Sequence, residues 1–398
     1  MEPLNIKLTT LTPLWTGGVK MTTDRLHETG IIGSLRWWYE GIVRGMGGRV
    51  CDVTADDPSK RCIFEQKKTE TFDDAYARLC LACRLFGCTS WRRQFRLEVE
   101  GPVPQDLFFT ASSGVYVAAG NWLWRIFGGK DLGGTKQGRG AAMTFTFGVQ
   151  ALWGDQATLH IVPLGTDAEA TLARIAFLLD IMTHWGALGA KPQHGFGQIQ
   201  ITSGLDPTLV EKGCRLIADE IQHDGKQPSP QADFFNLDSF FSHTYQLPQT
   251  ERYLRGLREI GTPPRDFNYR QHFIPCAFDI RYKSRSKDFR TDRGENFGMR
   301  PWFREKWGTV VAHRLFGRSD ARPDEDRSAG RIHVSHLHRK NDAWYLKVWG
   351  HVPSNLKDNK GNPISVENVA GQVTAFVQAM FPDSKLVDEF KRWKVLGR

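Results

Sequence analysis

The chain has 398 residues, 40% of them hydrophobic and 12% aromatic, with seven cysteines and a formal net charge of +9. Such a chain can bury sizeable cores in two or three domains, which excludes a disordered class. No apolar run approaches a membrane span, the basic surplus favours a polyanionic partner, and an odd cysteine count without an export signal points to reduced thiols in the cytoplasm.

In MEPLNIKLTT the apolar residues Leu4, Ile6 and Leu8 alternate, which predicts a first strand rather than a signal peptide. Leu11 to Gly18, LTPLWTGG, ends that strand in a tight glycine turn, and the chain then enters GSLRWWYEGIVRGMGG at Gly33. Ser34 is suited to cap a helix over about 34–46. Its buried stripe would be Leu35, Trp38, Ile42 and Val43, with Arg36, Glu40 and Arg44 on another face. Arg36 would then sit in the first turn. A cation gains little there unless an anion is bound jointly with the free N–H groups; the alternative is an arginine paired with a nearby carboxylate or snorkelling from the core.

Cys80-x-x-Cys83 followed by Cys88 supplies three thiolates within nine residues, and either Cys51 or Cys62 could complete a tetrahedral zinc site. The alternative is a helix whose cysteines are simply buried. CRLFGCTSWRRQFRLEVEG, Cys83 to Gly101, reads as a helix end, a glycine stop, a basic loop and a strand. Strands are predicted near 94–100 and 143–162. Thr166 and Glu169 then fit a capping box for a helix near 167–185 carrying Leu172, Ile175, Leu179 and Met182.

The stretch Trp185 to Ile201, WGALGAKPQHGFGQIQI, is the most informative. Gly186 suits a left-handed cap. Gly189, Gly195 and Gly197 would let bare backbone approach a ligand and leave N–H groups free to face an anion, with Lys191 and His194 as further donors. Ordinary turns also use glycine. A strand near 196–202 follows.

Residues 201–398 hold 32 Lys and Arg against 25 Asp and Glu, compared with 21 against 19 in residues 1–200. Between Arg281 and Arg314 ten basic and four acidic residues interleave with Tyr282, Phe289, Phe297, Trp302, Phe303 and Trp307. That composition suits backbone tracking and base stacking, or else an amphipathic helix with aromatics in the core. HRLFG at 313–317 followed by GRIHVSHLHR at 330–339 echoes the Cys83–Gly101 segment, and Gly298 to Phe303 loosely echoes Gly33 to Trp38. His333, His336 and His338 read as surface histidines, since only the last two share a strand face.

The order of elements predicts an α+β chain of two ferredoxin-like (RRM-like) domains in tandem with loop insertions. The first would span 1–204 with an insertion at about 47–93, and a helical linker would fill 205–265. The second would span 266–398, with strands near 273–282, 331–338 and 343–351 and helices near 300–315 and 365–380.

TPLWTGG, GSLRWWYEG, CRLFGCTSWRRQFR and GALGAKPQHGFGQIQI, in this order and spacing, resemble the RAMP superfamily of CRISPR proteins. Within it they are most similar to the first subunit of the Cmr complex, the type III-B RNA-guided effector, strongly over about 1–202 and more weakly beyond. The resemblance implies a non-catalytic, cytoplasmic RNA-binding subunit. It would cap the head of the complex near the 3' end of the guide RNA and its paired target RNA, with the backbone and head subunits as partners. It carries the first-helix motif onto Ser34, Arg36 and Trp37, the basic loop onto Arg92, Arg93 and Arg96, and the glycine-rich loop onto Gly189, Lys191, His194, Gly195 and Gly197. Some relatives carry zinc in an insertion here, which implies Cys62, Cys80, Cys83 and Cys88 as ligands. Other superfamily members cut guide precursors, so one alternative is an endoribonuclease using His27 and His194 as base and acid. Another is a cap that contacts only protein.

Overall fold

The computed structural model describes residues 2–18, 23–113, 143–154, 156–225, 234–247, 277–282, 298–318, 329–341 and 343–391. In chain order the first half runs β1 (Leu4–Thr10), α1 (Glu28–Gly45), α2 (Phe72–Ala77), α3 (Leu81–Phe86), β2 (Phe95–Glu100), β3 (Gln105–Ser113), β4 (Met143–Ala151), β5 (Gln156–Pro163), α4 (Ala168–Trp185), β6 (Ile199–Ser203) and α5 (Pro207–Asp224). The second half runs β7 (Phe240–Leu247), α6 (Ala277–Tyr282), α7 (Met299–Trp307), α8 (Thr309–Phe316), β8 (Ile332–Val334), β9 (His338–Lys340), β10 (Ala343–His351), α9 (Val366–Met380) and β11 (Lys385–Glu389).

The first sheet is antiparallel with strand order β2-β5-β1-β6. β1 pairs β5 with Leu4 opposite Ile161, and β5 pairs β2 with Ile161 opposite Leu97. Taking β1, β2, β5 and β6 as strands one to four, the order from β6 is 4-1-3-2, with α1 and α4 as crossovers. This is the ferredoxin-like βαββαβ arrangement, into which β3 and β4 are inserted as a separate two-stranded ribbon. The alternation of the first strand puts Ile6 and Leu8 fully inside. Leu35, Trp38, Ile42 and Val43 of α1 meet them in one core with Leu172, Ile175, Leu179 and Met182 of α4. Each fully buried aliphatic side chain of this kind contributes about 1.5–3 kcal/mol.

The second sheet has the order β11-β7-β10-β8, with β9 also beside β10, which is again 4-1-3-2. The chain is therefore two ferredoxin-like domains in tandem. The first strand of the second sheet is β7, inside the stretch predicted as a helical linker, and among the described residues of that stretch α5 is helical as expected. FFSHTYQL hides its nature because Ser242 and His243 are buried with the aromatics, so apolar and polar residues do not alternate. Within the strand predicted at 273–282, Ala277–Tyr282 is helical and the residues before it lie outside the described set. The strand predicted over 143–162 is two strands, and the helix predicted over 300–315 is broken into α7 and α8 at Gly308.

The two domains share packed surface. Phe235, Phe240, Trp349 and Phe390 join the first core, Gly195 O accepts from His336 N–H at 3.3 Å, and Lys347 Nζ donates to Thr183 O at 3.1 Å. Among the described residues no helix is long and apolar enough to cross a membrane.

Candidate nucleic-acid interface and cysteine centre

A cavity of about 690 Å³ lies between the domains, walled by α1, the glycine-rich loop and the β8–β10 face. Ser34, Trp37 and Gly189 come to it from the first domain, and Arg331, His333 and His351 from the second. Trp37 is 37% exposed and lies flat on Phe235, with ring centroids 4.0 Å apart and planes 7° from parallel. His333 stacks on Trp349 at 4.0 Å. Burial, with Arg281 and His351 nearby, holds His333 well below the ordinary histidine range, so the ring is a neutral stacking face. The partly exposed Trp37 plane, with Arg331 also in the cavity wall, is of the kind that suits an unstacked base and its ribose. The second-domain walls were missed from sequence because His333 reads as a surface histidine and Arg331 and His351 belong to no motif that points to a site.

Several predicted contacts sit elsewhere or act differently. α1 begins at Glu28, six residues before the predicted cap, so Ser34 lies within the helix and Arg36 in its third turn. The dipole argument for Arg36 therefore fails. Ser34 Oγ instead accepts the Gly189 N–H at 3.1 Å. The Arg36 guanidinium is turned inward: Nε donates to Glu40 Oε1 at 2.9 Å, Nη1 to Gly87 O at 2.8 Å and Nη2 to Cys83 Sγ at 3.2 Å.

The loop's amides are used within the fold rather than left for an anion. Gly189 N–H serves Ser34, Gly195 N–H serves Pro192 O at 3.0 Å and Gly197 N–H serves Pro13 O at 2.9 Å. At Gly197 φ is +85°, and a Cβ would run into Leu188 O, so only glycine fits that approach. Gly186 is not a left-handed cap; it is small because Trp38 packs where its side chain would be. The capping box at Thr166 is replaced by Asp167, whose side chain accepts from Ala170 N–H. Lys191 Nζ lies 3.7 Å over the Trp15 ring, and burial lowers its pKa to about 8.

His194 is buried, and burial first, then Arg281, Lys191 and His336, hold it well below the ordinary range. His27 hydrogen-bonds Asp24 at 2.7 Å. Neither histidine lines the cavity. Arg92 and Arg96 are exposed beyond α3, where Arg92 Nη2 reaches Leu164 O at 3.3 Å and Arg96 pairs with Glu98 at 2.9 Å. Arg93 Nε donates to Phe95 O at 2.9 Å. The histidines predicted at the surface, His333, His336 and His338, are all buried, because the second domain turns that strand toward the first. In the 281–314 segment Phe303 is core and Trp302 and Trp307 pack against it, which favours the core reading; Phe289 and Phe297 lie outside the described residues.

Cys51, Cys62, Cys80 and Cys83 converge, with all four Sγ atoms within 4.8 Å of one another and Cys51 and Cys83 3.5 Å apart. Cys88 is not among them. It lies past the Gly87 turn in a short bridge with Trp91, so Cys51 and Cys62 both belong to the set, not one or the other. A tetrahedron of Zn–S bonds of about 2.3 Å has edges of about 3.8 Å, so the donor set fits zinc. Hydrogen bonds among the four thiols, Cys51 first, pull Cys80 well down and Cys62 to about 7, while Cys62 pushes Cys51 up and Cys51 pushes Cys83 up, so Cys62 and Cys80 are the first of the set to become thiolates.

The RAMP superfamily model matches residues 7–200. Those residues belong to the RAMP superfamily. The RAMP domain thus carries β1, α1, the cysteine centre and the glycine-rich loop. No curated protein matches the sequence. Among solved structures, Cmr1 from Pyrococcus furiosus in its apo form is similar at 11% identity, covering 99% of this chain and 99% of that one, with a TM-score of 0.44. A chain of the type III-B Cmr-beta bound to cognate target RNA is similar at 12% identity, covering 96% of this chain and 100% of that one, with a TM-score of 0.46.

Proposed function

We propose that this protein is an RNA-binding subunit of a type III-B CRISPR RNA-guided effector complex, and that the interdomain cavity takes an unstacked nucleotide of the guide RNA or its paired target RNA. The observation that carries this reading is convergence. Ser34, Trp37 and Gly189, three residues nominated by the RAMP motifs, come to one aromatic cavity completed by the second domain. Backbone and head subunits are the proposed protein partners, the proposed position is the cap near the guide 3' end, and the proposed compartment is the cytoplasm. The role is non-catalytic in this reading. Neither His27 nor His194 lines the cavity, and His194 is buried, so neither reaches a ribose 2'-hydroxyl seated there. Zinc on Cys51, Cys62, Cys80 and Cys83 is the proposed structural metal; it would fasten the insertion onto the domain.

The test is isolation of a tagged chain from its native cells, with the bound RNA sequenced and the bound proteins identified. CRISPR-derived guide RNA with other effector subunits is the expected outcome. Recovery without RNA contradicts the proposal, and fresh cleavage of added guide precursor by the purified chain moves the assignment to the endoribonuclease.

A further inference from the structure

Four thiolates on a divalent cation leave a net charge of about −2, which a partly buried site must offset with N–H donors. Two such donors are in place. Cys80 N–H points to Cys62 Sγ at 3.3 Å, and Arg36 Nη2 points to Cys83 Sγ at 3.2 Å. The Arg36 side chain is only 19% exposed and is fixed on two further sides, by Glu40 through Nε and by the Gly87 carbonyl through Nη1. Gly87 caps α3, the helix that carries Cys83. One planar group therefore clamps α1 to both a metal ligand and the end of the ligand's helix, a geometry that a lysine point charge cannot reproduce.

The same stretch of α1 builds the cavity. Ser34, two residues earlier, holds the glycine-rich loop through Gly189, and Trp37, the next residue, presents the stacking face. We infer that Arg36 is a positioning residue through which the cysteine-bound metal sets the seat of α1 and thereby RNA binding in the interdomain cavity. This rests on the zinc and RNA readings above and goes beyond them, because it makes RNA affinity depend on metal occupancy.

The experiment uses the full chain loaded with cobalt(II) in place of zinc, as wild type, Arg36→Lys and Arg36→Gln, with the aromatic circular dichroism of each compared to verify the fold. Loss of the N–H···S bond makes the sulfur more electron-rich. The thiolate-to-cobalt charge-transfer band is then expected to move to lower energy in both variants, and metal affinity to fall about 10- to 100-fold. A merely structural arginine would leave the band in place, and that result overturns the assignment. In parallel, wild type is stripped with a chelator and titrated with single-stranded RNA. A loss of RNA affinity of about tenfold or more, restored by zinc, supports the coupling, whereas equal affinity with and without metal overturns it. The failures are separable. A wild-type chain that takes up neither zinc nor cobalt sinks the zinc reading, and one that binds metal but not RNA sinks the RNA reading while the cobalt band still tests Arg36.

Discussion

The two domains stop the helix before their second strand in the same way and then part. α3 ends at Gly87 with φ 86° and ψ 163°, and α8 ends at Gly317 with φ 85° and ψ 164°. Each stop is tied by a buried or half-buried arginine: Arg36 takes the Gly87 carbonyl, and Arg281 Nη2 takes the Phe316 carbonyl at 3.0 Å. What precedes the stop differs. α8 is fastened by Val311, Leu315 and Phe316 in the second core. The segment before α3 fully buries few aliphatic side chains, chiefly Val50, Ala75 and Leu79, with Phe64 and Tyr76 only partly covered, and four cysteines converge there. A short segment that cannot build its own core is stapled, and a metal centre is one such staple.

The strongest way to break this comparison is to disturb the four-cysteine cluster and the zinc proposed for it. Cys83→Ser or metal chelation is expected to cost about 3–5 kcal/mol of stability and to loosen residues 47–93 without touching the second domain, as read by hydrogen exchange. Exchange that rises equally in both domains would contradict it. Leu315→Ala, which opens a void in the second core, is expected to cost about 2–5 kcal/mol and to leave metal content unchanged, checked by urea denaturation and elemental analysis.

Next in size are the glycine stops. Both sit in a backbone region open in practice to glycine alone, so Gly87→Ala and Gly317→Ala should each cost about 1–3 kcal/mol in urea titrations. A free substitution at either position would mean that the shared stop is not a shared constraint.

Much of the first domain was legible because its apolar residues repeat at periods two and 3.6, as at Leu4–Leu8 and Leu172–Met182. The start of α1 was not, since His27 gives no side-chain cap and Gly30 and Gly33 imitate a break. β7 was hidden because a strand covered by both domains buries polar residues and loses its alternation. Trp37 and Gly189 were named from motifs, and both line the interdomain cavity. For Arg36 the pairing with a nearby carboxylate, one of the two readings of its motif, is present at Glu40, whereas its other acceptors, Gly87 and Cys83, are set only by the fold.

Acid should separate the domains by sign. Burial pushes His338 of the second domain down to about 4, so the stability it contributes is full above pH 6.5 and is lost as the pH falls through about 4. Asp180 raises His184 on α4, so that contribution is full below pH 6.5 and is lost as the pH rises through the raised value. Urea midpoints between pH 7.5 and 4.5 should therefore fall, and His338→Asn should flatten the trend. An unchanged slope in that variant would show that His338 does not govern it. The smallest effect is expected at Arg96, exposed and paired with Glu98: Arg96→Ala should change stability by no more than about 0.5 kcal/mol and leave RNA binding in the cavity intact.

The most direct test of the interdomain cavity as an RNA site is titration of the full chain with a fluorescent single-stranded RNA across a salt series, beside Trp37→Ala. Salt-sensitive binding of intact RNA, weakened by about 1–3 kcal/mol in the variant, is the predicted result. Binding that is identical in wild type and Trp37→Ala would contradict it.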